Sequence, residues 1–124
     1  MVDSFEVEPK SLGGFRYTVH LKELYTGYYY IDFIKGKETV TLALTRRLKW
    51  IKTQLILLVQ MVIGDNRTEL KVSYKESKEE GLAVFLNPPY TPQPRGIIEK
   101  AGMDIISLAK AALVEAGLPE FLWP

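Results

Sequence analysis

A strict alternation of apolar and polar residues, beginning at Phe15, limits the fold of this chain more than any other feature. The odd positions from Phe15 to Leu21 are apolar and the even positions are polar, which is the period of a half-buried β-strand. In and out positions also alternate in the strands predicted at residues 28–34, 38–44 and 69–74, and glycine-containing turns separate the first three strands. A charged turn that ends at Gly81 leads into a fifth predicted strand, 82–86, which forms a second hairpin. We therefore expect a sheet of five antiparallel strands.

Two helices are expected to pack with this sheet. Thr45 is a suitable N-cap for a helix that runs to about Ile63, where Gly64 would end it. A second helix is expected from about Arg95 to Ala116. The predicted fold is α+β with the element order βββαββα, in one domain over residues 1–124. Residues 1–14 would form a loosely held N-terminal arm or a short edge strand, and residues 118–124 a hydrophobic C-terminal tail.

Composition excludes several kinds of chemistry. The 124 residues include no Cys and one His, which excludes disulfides, thiolate zinc sites, cysteine nucleophiles and multi-histidine metal sites. No nucleophile elbow or glycine-rich phosphate loop occurs. His20 with Asp32 is the one pair that the register could bring together for acid-base catalysis, and a surface hydrogen bond explains it better. We expect no enzyme, no cofactor and no metal.

The longest apolar run, Leu55 to Ile63, is too short for a membrane span, and no secretory signal opens the chain. These features predict a cytoplasmic protein without membrane contact.

Basic and aromatic residues are concentrated in one third of the chain. Residues 15–53 hold eight of the sixteen Lys and Arg residues and eight of the fourteen aromatic residues. Single nucleic-acid strands are bound by cations that follow the phosphates and by rings on which bases stack. We therefore expect sequence-nonspecific binding of single-stranded DNA or RNA. The predicted contacts are Arg16, Lys22, Tyr28, Tyr30, Arg46, Arg47, Lys49, Trp50 and Lys52.

The location of that surface depends on which sheet face is open. If both helices cover the same face, Tyr28 and Tyr30 lie on an exposed face of the sheet. If the helices lie on opposite faces, these tyrosines enter the core and the basic start of the first helix becomes the exposed feature. The apolar second strand is compatible with cover on both sides.

An alternative function is that of a non-catalytic interaction or assembly subunit. Its contacts would be the apolar helix, the proline-rich segment Pro88 to Pro94 and the aromatic C-terminal tail. We expect a homo-oligomer, such as a homodimer, in either case. The predicted interface residues are Leu57, Met61, Ile105, Phe121 and Trp123.

The runs Tyr28-Tyr29-Tyr30 and Arg46-Arg47-Leu48-Lys49-Trp50, with a small sheet backed by helices, give the chain a resemblance to a known family. The layout of residues 15–116 resembles the archaeal single-stranded DNA-binding proteins of the ThermoDBP-related type. The resemblance implies a thermophilic archaeal protein that binds single-stranded DNA without sequence preference. The small number of Asn and Gln residues also favours a thermophilic source.

Overall fold

The computed structural model describes residues 1–56, 59–64, 71, 75, 78–79, 81–86 and 93–124. Its strands are β1 (Val2–Glu6), β2 (Tyr17–Lys22), β3 (Tyr29–Ile34), β4 (Met61–Gly64) and β5 (Ala83–Leu86). Its α-helices are α1 (Val40–Gln54) and α2 (Gln93–Glu115), and short 3-10 helices cover Lys37–Thr39 and Glu120–Leu122.

The strands form two sheets. An antiparallel sheet has the order β1-β2-β3, so that β2 is central and β3 lies at an edge. β4 and β5 form a parallel pair, and β4 contacts β1. In the antiparallel sheet Asp3 lies opposite His20 and Leu21 lies opposite Tyr30, which fixes the side chains that share a face.

Helix α1 covers one face of the antiparallel sheet. Its buried residues Val40, Leu44 and Ile51 follow helical spacing and form a core cluster with Val19 and Leu21 of β2. Each of the three helix residues is no more than 2% exposed. This apolar stripe fixes α1 against the sheet.

Helix α2 covers the opposite face. A Cβ atom at Gly102 would stand 2.5 Å from the Phe5 ring and 3.3 Å from Nδ1 of His20, which is closer than side chains pack. The absence of a side chain at Gly102 therefore lets the helix backbone approach β1 and β2 closely.

His20 is completely buried beneath α2 and is held on both ring nitrogens. Its Nδ1 lies 2.6 Å from the Tyr29 hydroxyl and its Nε2 lies 2.7 Å from Oγ1 of Thr18, while the Phe5 ring packs edge-on at 4.7 Å. Burial lowers the pKa of His20 to about 4. The imidazole is therefore neutral at physiological pH.

The prediction of a five-stranded antiparallel sheet is wrong. The described residues contain a three-stranded antiparallel sheet and a separate two-stranded parallel sheet. The expected third strand, 38–44, is a 3-10 turn and the start of α1, since Val40 and Leu44 are buried while Leu42 is 51% exposed. That spacing of four fits a helix as well as it fits a strand.

The expected helix from Thr45 to Ile63 is also different. α1 ends at Gln54, and the second half of the apolar run contains β4. Within β4, Val62 is buried while Met61 is 53% exposed and Ile63 is half-buried, so the strand buries one face more fully than the other. Lys71 and Lys75, expected in a strand, are helical, and the rest of 69–74 lies outside the described residues.

The chain begins with a strand, and its second helix begins within the predicted proline-rich segment. Residues Val2–Glu6 form an edge strand, and Val2 belongs to the core cluster. Helix α2 begins at Gln93, so that Pro94 is helical, whereas residues 87–92 lie outside the described part of the chain.

The buried histidine predicts a specific loss of stability in mild acid. Below pH 6.5 the unfolded chain binds a proton on His20 that the folded chain does not bind until about pH 4, so the free energy of unfolding falls across this window. The full loss is about 3 kcal/mol. Urea unfolding from pH 7.5 to 4, with His20→Asn as the control for other groups, measures it. An imidazole resonance that titrates near its ordinary pKa would contradict the prediction.

Candidate functional site

An exposed group of aromatic rings surrounds a guanidinium at the edge of the sheet where β3 meets α1. We call Tyr28, Tyr30, Arg47 and Trp50 the aromatic-cationic surface. Tyr28 is 57% exposed and Trp50 is 42% exposed, so that both rings are open to solvent. Tyr30 is half-buried between them.

The geometry of this surface is compact. The ring centroids of Tyr28 and Tyr30 are 6.5 Å apart and those of Tyr30 and Trp50 are 6.1 Å apart, both in edge-to-face arrangements. Cζ of Arg47 lies 5.4 Å from the centroids of both the Tyr30 and the Trp50 rings. The guanidinium therefore makes two cation-π contacts.

Asp32 fixes the position of that guanidinium. Nε of Arg47 donates to Oδ2 of Asp32 at 2.9 Å, and Nη2 donates to Oδ1 at 2.6 Å. The hydrogen bond to this carboxylate raises the pKa of Arg47 above its ordinary value. A bidentate pair of this kind is rigid, so Arg47 serves as a fixed part of the surface with much of its charge neutralised.

The other predicted cations divide into two groups. Arg46, Lys49 and Lys52 are exposed on α1 close to Trp50 in sequence. Lys22 ends β2, whereas Arg16 lies beyond the other end of the sheet, where its Nη2 is 2.7 Å from Glu6 and 3.1 Å from Glu8. The structure therefore brings the tyrosines, Trp50 and Arg47 together, leaves Arg16 apart, and exposes Arg46, Lys49 and Lys52 on the same helix as Trp50.

His20 and Asp32 do not form an acid-base pair. His20 points to the face covered by α2, while Asp32 lies on the α1 face, bound to Arg47. The sheet separates the two groups.

A second candidate site lies on the α2 face. Helix α2 runs in the same direction as β1, because Gly102 adjoins Phe5 while Nζ of Lys110, two turns later, donates to the carbonyl of Glu8. One turn before Gly102 is Glu99, and two residues before Phe5 is Asp3. Both carboxylates therefore lie toward the same end of the molecule.

These acids differ in their surroundings. Asp3 is 2% exposed, and its Oδ1 accepts a hydrogen bond from the backbone N–H of Ser4 at 2.8 Å. Glu99 is exposed on the helix. We call Asp3 and Glu99 the acidic edge. Sequence reasoning missed it because the two acids are far apart in the chain and no local motif joins them.

The predicted interface residues are in varied environments. Met61 and Phe121 are exposed and Ile105 is half-buried, whereas Leu57 lies outside the described residues. Trp123 is buried in its own chain, with its indole N–H donating to the carbonyl of Pro9 at 2.5 Å. The oligomeric interface stays a prediction.

Known proteins resemble this chain in sequence and in fold. It is 24% identical over 114 residues, 92% of its length, to a retrovirus-related Pol polyprotein from transposon RE2 of Arabidopsis thaliana. It is 22% identical over 110 residues to the corresponding polyprotein from transposon RE1. The chain spans 8% of the length of each polyprotein. No protein-family model matches it.

A solved structure extends the likeness to the fold. The crystal structure of the catalytic core domain of BIV integrase matches 93% of this chain and 70% of that chain, with a TM-score of 0.62 and 20% sequence identity. Among the described residues, no helix is long and apolar enough to cross a membrane.

These findings correct three predictions. The proposed relationship to archaeal single-stranded DNA-binding proteins is wrong, and so is the inferred thermophilic archaeal source, because the similar sequences are plant transposon polyproteins. The prediction of a non-catalytic protein is wrong, because the matching fold is that of a catalytic core. The chain has an integrase catalytic-core fold.

Proposed function

We propose that this chain is an integrase-type core that binds nucleic acid and transfers nucleotidyl groups between DNA strands. The observation that carries this proposal is the acidic edge, placed within an integrase-core fold by the parallel course of α2 and β1. The polyproteins that it resembles are much longer, so the activity is proposed for this segment on the strength of its own residues.

Carboxylate oxygens are the ligands that Mg²⁺ prefers, and Asp3 and Glu99 would supply two of them. Among the described residues no group of three or more acidic or histidine side chains could hold a metal ion, so further ligands would have to come from outside them. A bound divalent ion would neutralise charge that develops on the phosphate during transfer. In the reaction a hydroxyl oxygen forms a bond to phosphorus, the bond from phosphorus to the leaving oxygen breaks, and the leaving oxygen gains a proton. Asp3 is buried on β1, and Glu99 is an exposed residue of α2.

Asp65 is a third candidate. It directly follows Gly64, the last residue of β4, and β4 contacts β1. Asp65 lies outside the described residues, so the proposal for it rests on its sequence position.

Removal of these carboxylates tests the proposed reaction. Glu99→Gln, Asp3→Asn and Asp65→Asn are each expected to slow Mg²⁺-dependent cutting or joining of labelled DNA at least about 100-fold, since several kcal/mol of charge stabilisation is lost. Denaturing gels measure the products. Asp104→Asn and Glu115→Gln, exposed acids of α2, are the controls and should keep the wild-type rate.

If Asp3→Asn fails to fold because Asp3 is buried, Glu99→Gln still tests the proposed reaction. Wild-type rates in Glu99→Gln and Asp65→Asn, or no metal-dependent product from the wild-type chain, would overturn the catalytic proposal.

We also infer that the aromatic-cationic surface binds a single strand without sequence preference. The exposed faces of Tyr28 and Trp50 offer platforms for bases, and Arg46, Lys49 and Lys52 offer charges for phosphates. Every base can stack on an aromatic ring, so we expect a strand bound in this way to be bound without sequence preference.

Two sets of variants test this surface with a labelled mixed-sequence oligonucleotide. Tyr28→Ala with Trp50→Ala should weaken binding at least about fivefold per ring at every salt concentration. Arg46→Gln, Lys49→Gln and Lys52→Gln together should lower the salt slope by about 2. Tyr25, which is 96% exposed and outside the ring group, gives the control Tyr25→Ala.

Fluorescence anisotropy at several salt concentrations measures these effects. An equal loss in Tyr25→Ala, or tighter binding of the matching duplex than of the single strand, would refute the single-strand assignment.

A further inference from the structure

Three lysines lie near the end of the sheet where β3 ends, and two of them, Lys10 and Lys35, share a position over Gly14. We call Lys10, Lys35 and Lys37 the lysine cluster. A Cβ atom placed on Gly14 would lie 3.7 Å from Cε of Lys35 and 3.8 Å from Cε of Lys10. The aliphatic parts of both lysine side chains therefore pack over this glycine. Gly14 has a φ of +85°, which favours glycine at this position. Because glycine has no side chain, nothing at this position separates the two lysines.

Aromatic rings hold two of these lysines in place. Nζ of Lys35 lies 5.6 Å from the Phe15 ring centroid, and Nζ of Lys37 lies 5.6 Å from the Tyr17 ring centroid. Both side chains are exposed, so the cation-π contacts orient the ammonium groups while leaving them open to solvent.

Two of the three nearby acids are paired with an arginine, and the third lies beside the lysines. Glu6 and Glu8 both pair with Arg16. Glu38 turns its carboxylate back over Gly36, between Lys35 and Lys37. Within the described part of the chain, none of the three lysines forms an ion pair with a carboxylate. Ammonium groups that lie close together repel one another, and a bound anion would lower that repulsion beyond what the single Glu38 carboxylate can do.

The position of the lysine cluster indicates an extended anion. β3 begins beside the aromatic-cationic surface and ends one residue before Lys35. At about 3.4 Å per residue the strand spans roughly 20 Å. An anion that contacts both the aromatic-cationic surface and the lysine cluster must be longer than β3. It must also carry repeated charges, as a nucleic-acid strand does.

We propose that the lysine cluster binds the phosphodiester backbone of a nucleic-acid strand that lies along the outer edge of β3. This inference rests on the proposed function, because it extends the strand contact of the aromatic-cationic surface. Lysine suits the role as a point charge that binds phosphate without reading sequence.

A charge-matched pair of triple variants tests the inference. Lys10→Gln, Lys35→Gln and Lys37→Gln together should lower the salt slope of oligonucleotide binding by about 2, since single strands lose roughly 0.7 per phosphate contact. Lys71→Gln, Lys75→Gln and Lys78→Gln remove the same charge from other exposed positions and should leave the slope near the wild-type value. Anisotropy across salt concentrations measures both.

Lysine acetylation read by mass spectrometry adds a direct measure of contact. The bound oligonucleotide should slow acetylation of Lys10, Lys35 and Lys37 several-fold and leave Lys71, Lys75 and Lys78 unchanged. Equal effects of the two triple variants, or no protection of the cluster, would overturn this inference alone while wild-type binding persists. No nucleic-acid binding by the wild-type chain would overturn the proposed strand contact as well.

Discussion

The close approach of α2 to the sheet at Gly102 governs which distant parts of the chain become neighbours. The helix backbone packs on Phe5 and His20, and from there α2 follows β1 and the residues after it as far as Glu8. The acidic edge is a consequence of this contact between helix and sheet. Asp3 lies two residues before Phe5 on the strand, and Glu99 lies three residues before Gly102 on the helix. A larger residue in place of the glycine would lift the helix and separate the two acids.

The two candidate sites lie on opposite faces of the antiparallel sheet, whose central strand is β2. Residues of β2 alternate between the α1 core and the polar network under α2, so the aromatic-cationic surface and the acidic edge lie on opposite faces. The register nevertheless places them toward the same end of the sheet, since Val2 lies opposite Leu21 and Leu21 lies opposite Tyr30. Lys22, the last residue of β2, lies at this shared end.

The sequence predicted β2 because it alternates over a full strand, and β3 because it is a short run of aromatic and β-branched residues bounded by glycine-containing turns. It misassigned 38–44, where Val40 and Leu44 satisfy both periods, and the decision came from packing against β2. The rings near Arg47 could be anticipated because they cluster within the chain. The acidic edge could not, because only the tertiary course of α2 brings Asp3 toward Glu99, and single carboxylates carry no local signal.

The edge position of β3 has a consequence for how the protein meets other chains. One side of the strand pairs with β2, and the opposite side faces no other strand of the described residues. Such an edge presents backbone donors and acceptors on which a foreign strand can be added. Lysines at strand edges commonly oppose such growth, and Lys35 and Lys37 directly follow β3. Charges that attract a polyanion would thereby also discourage the protein from aggregating through its own sheet.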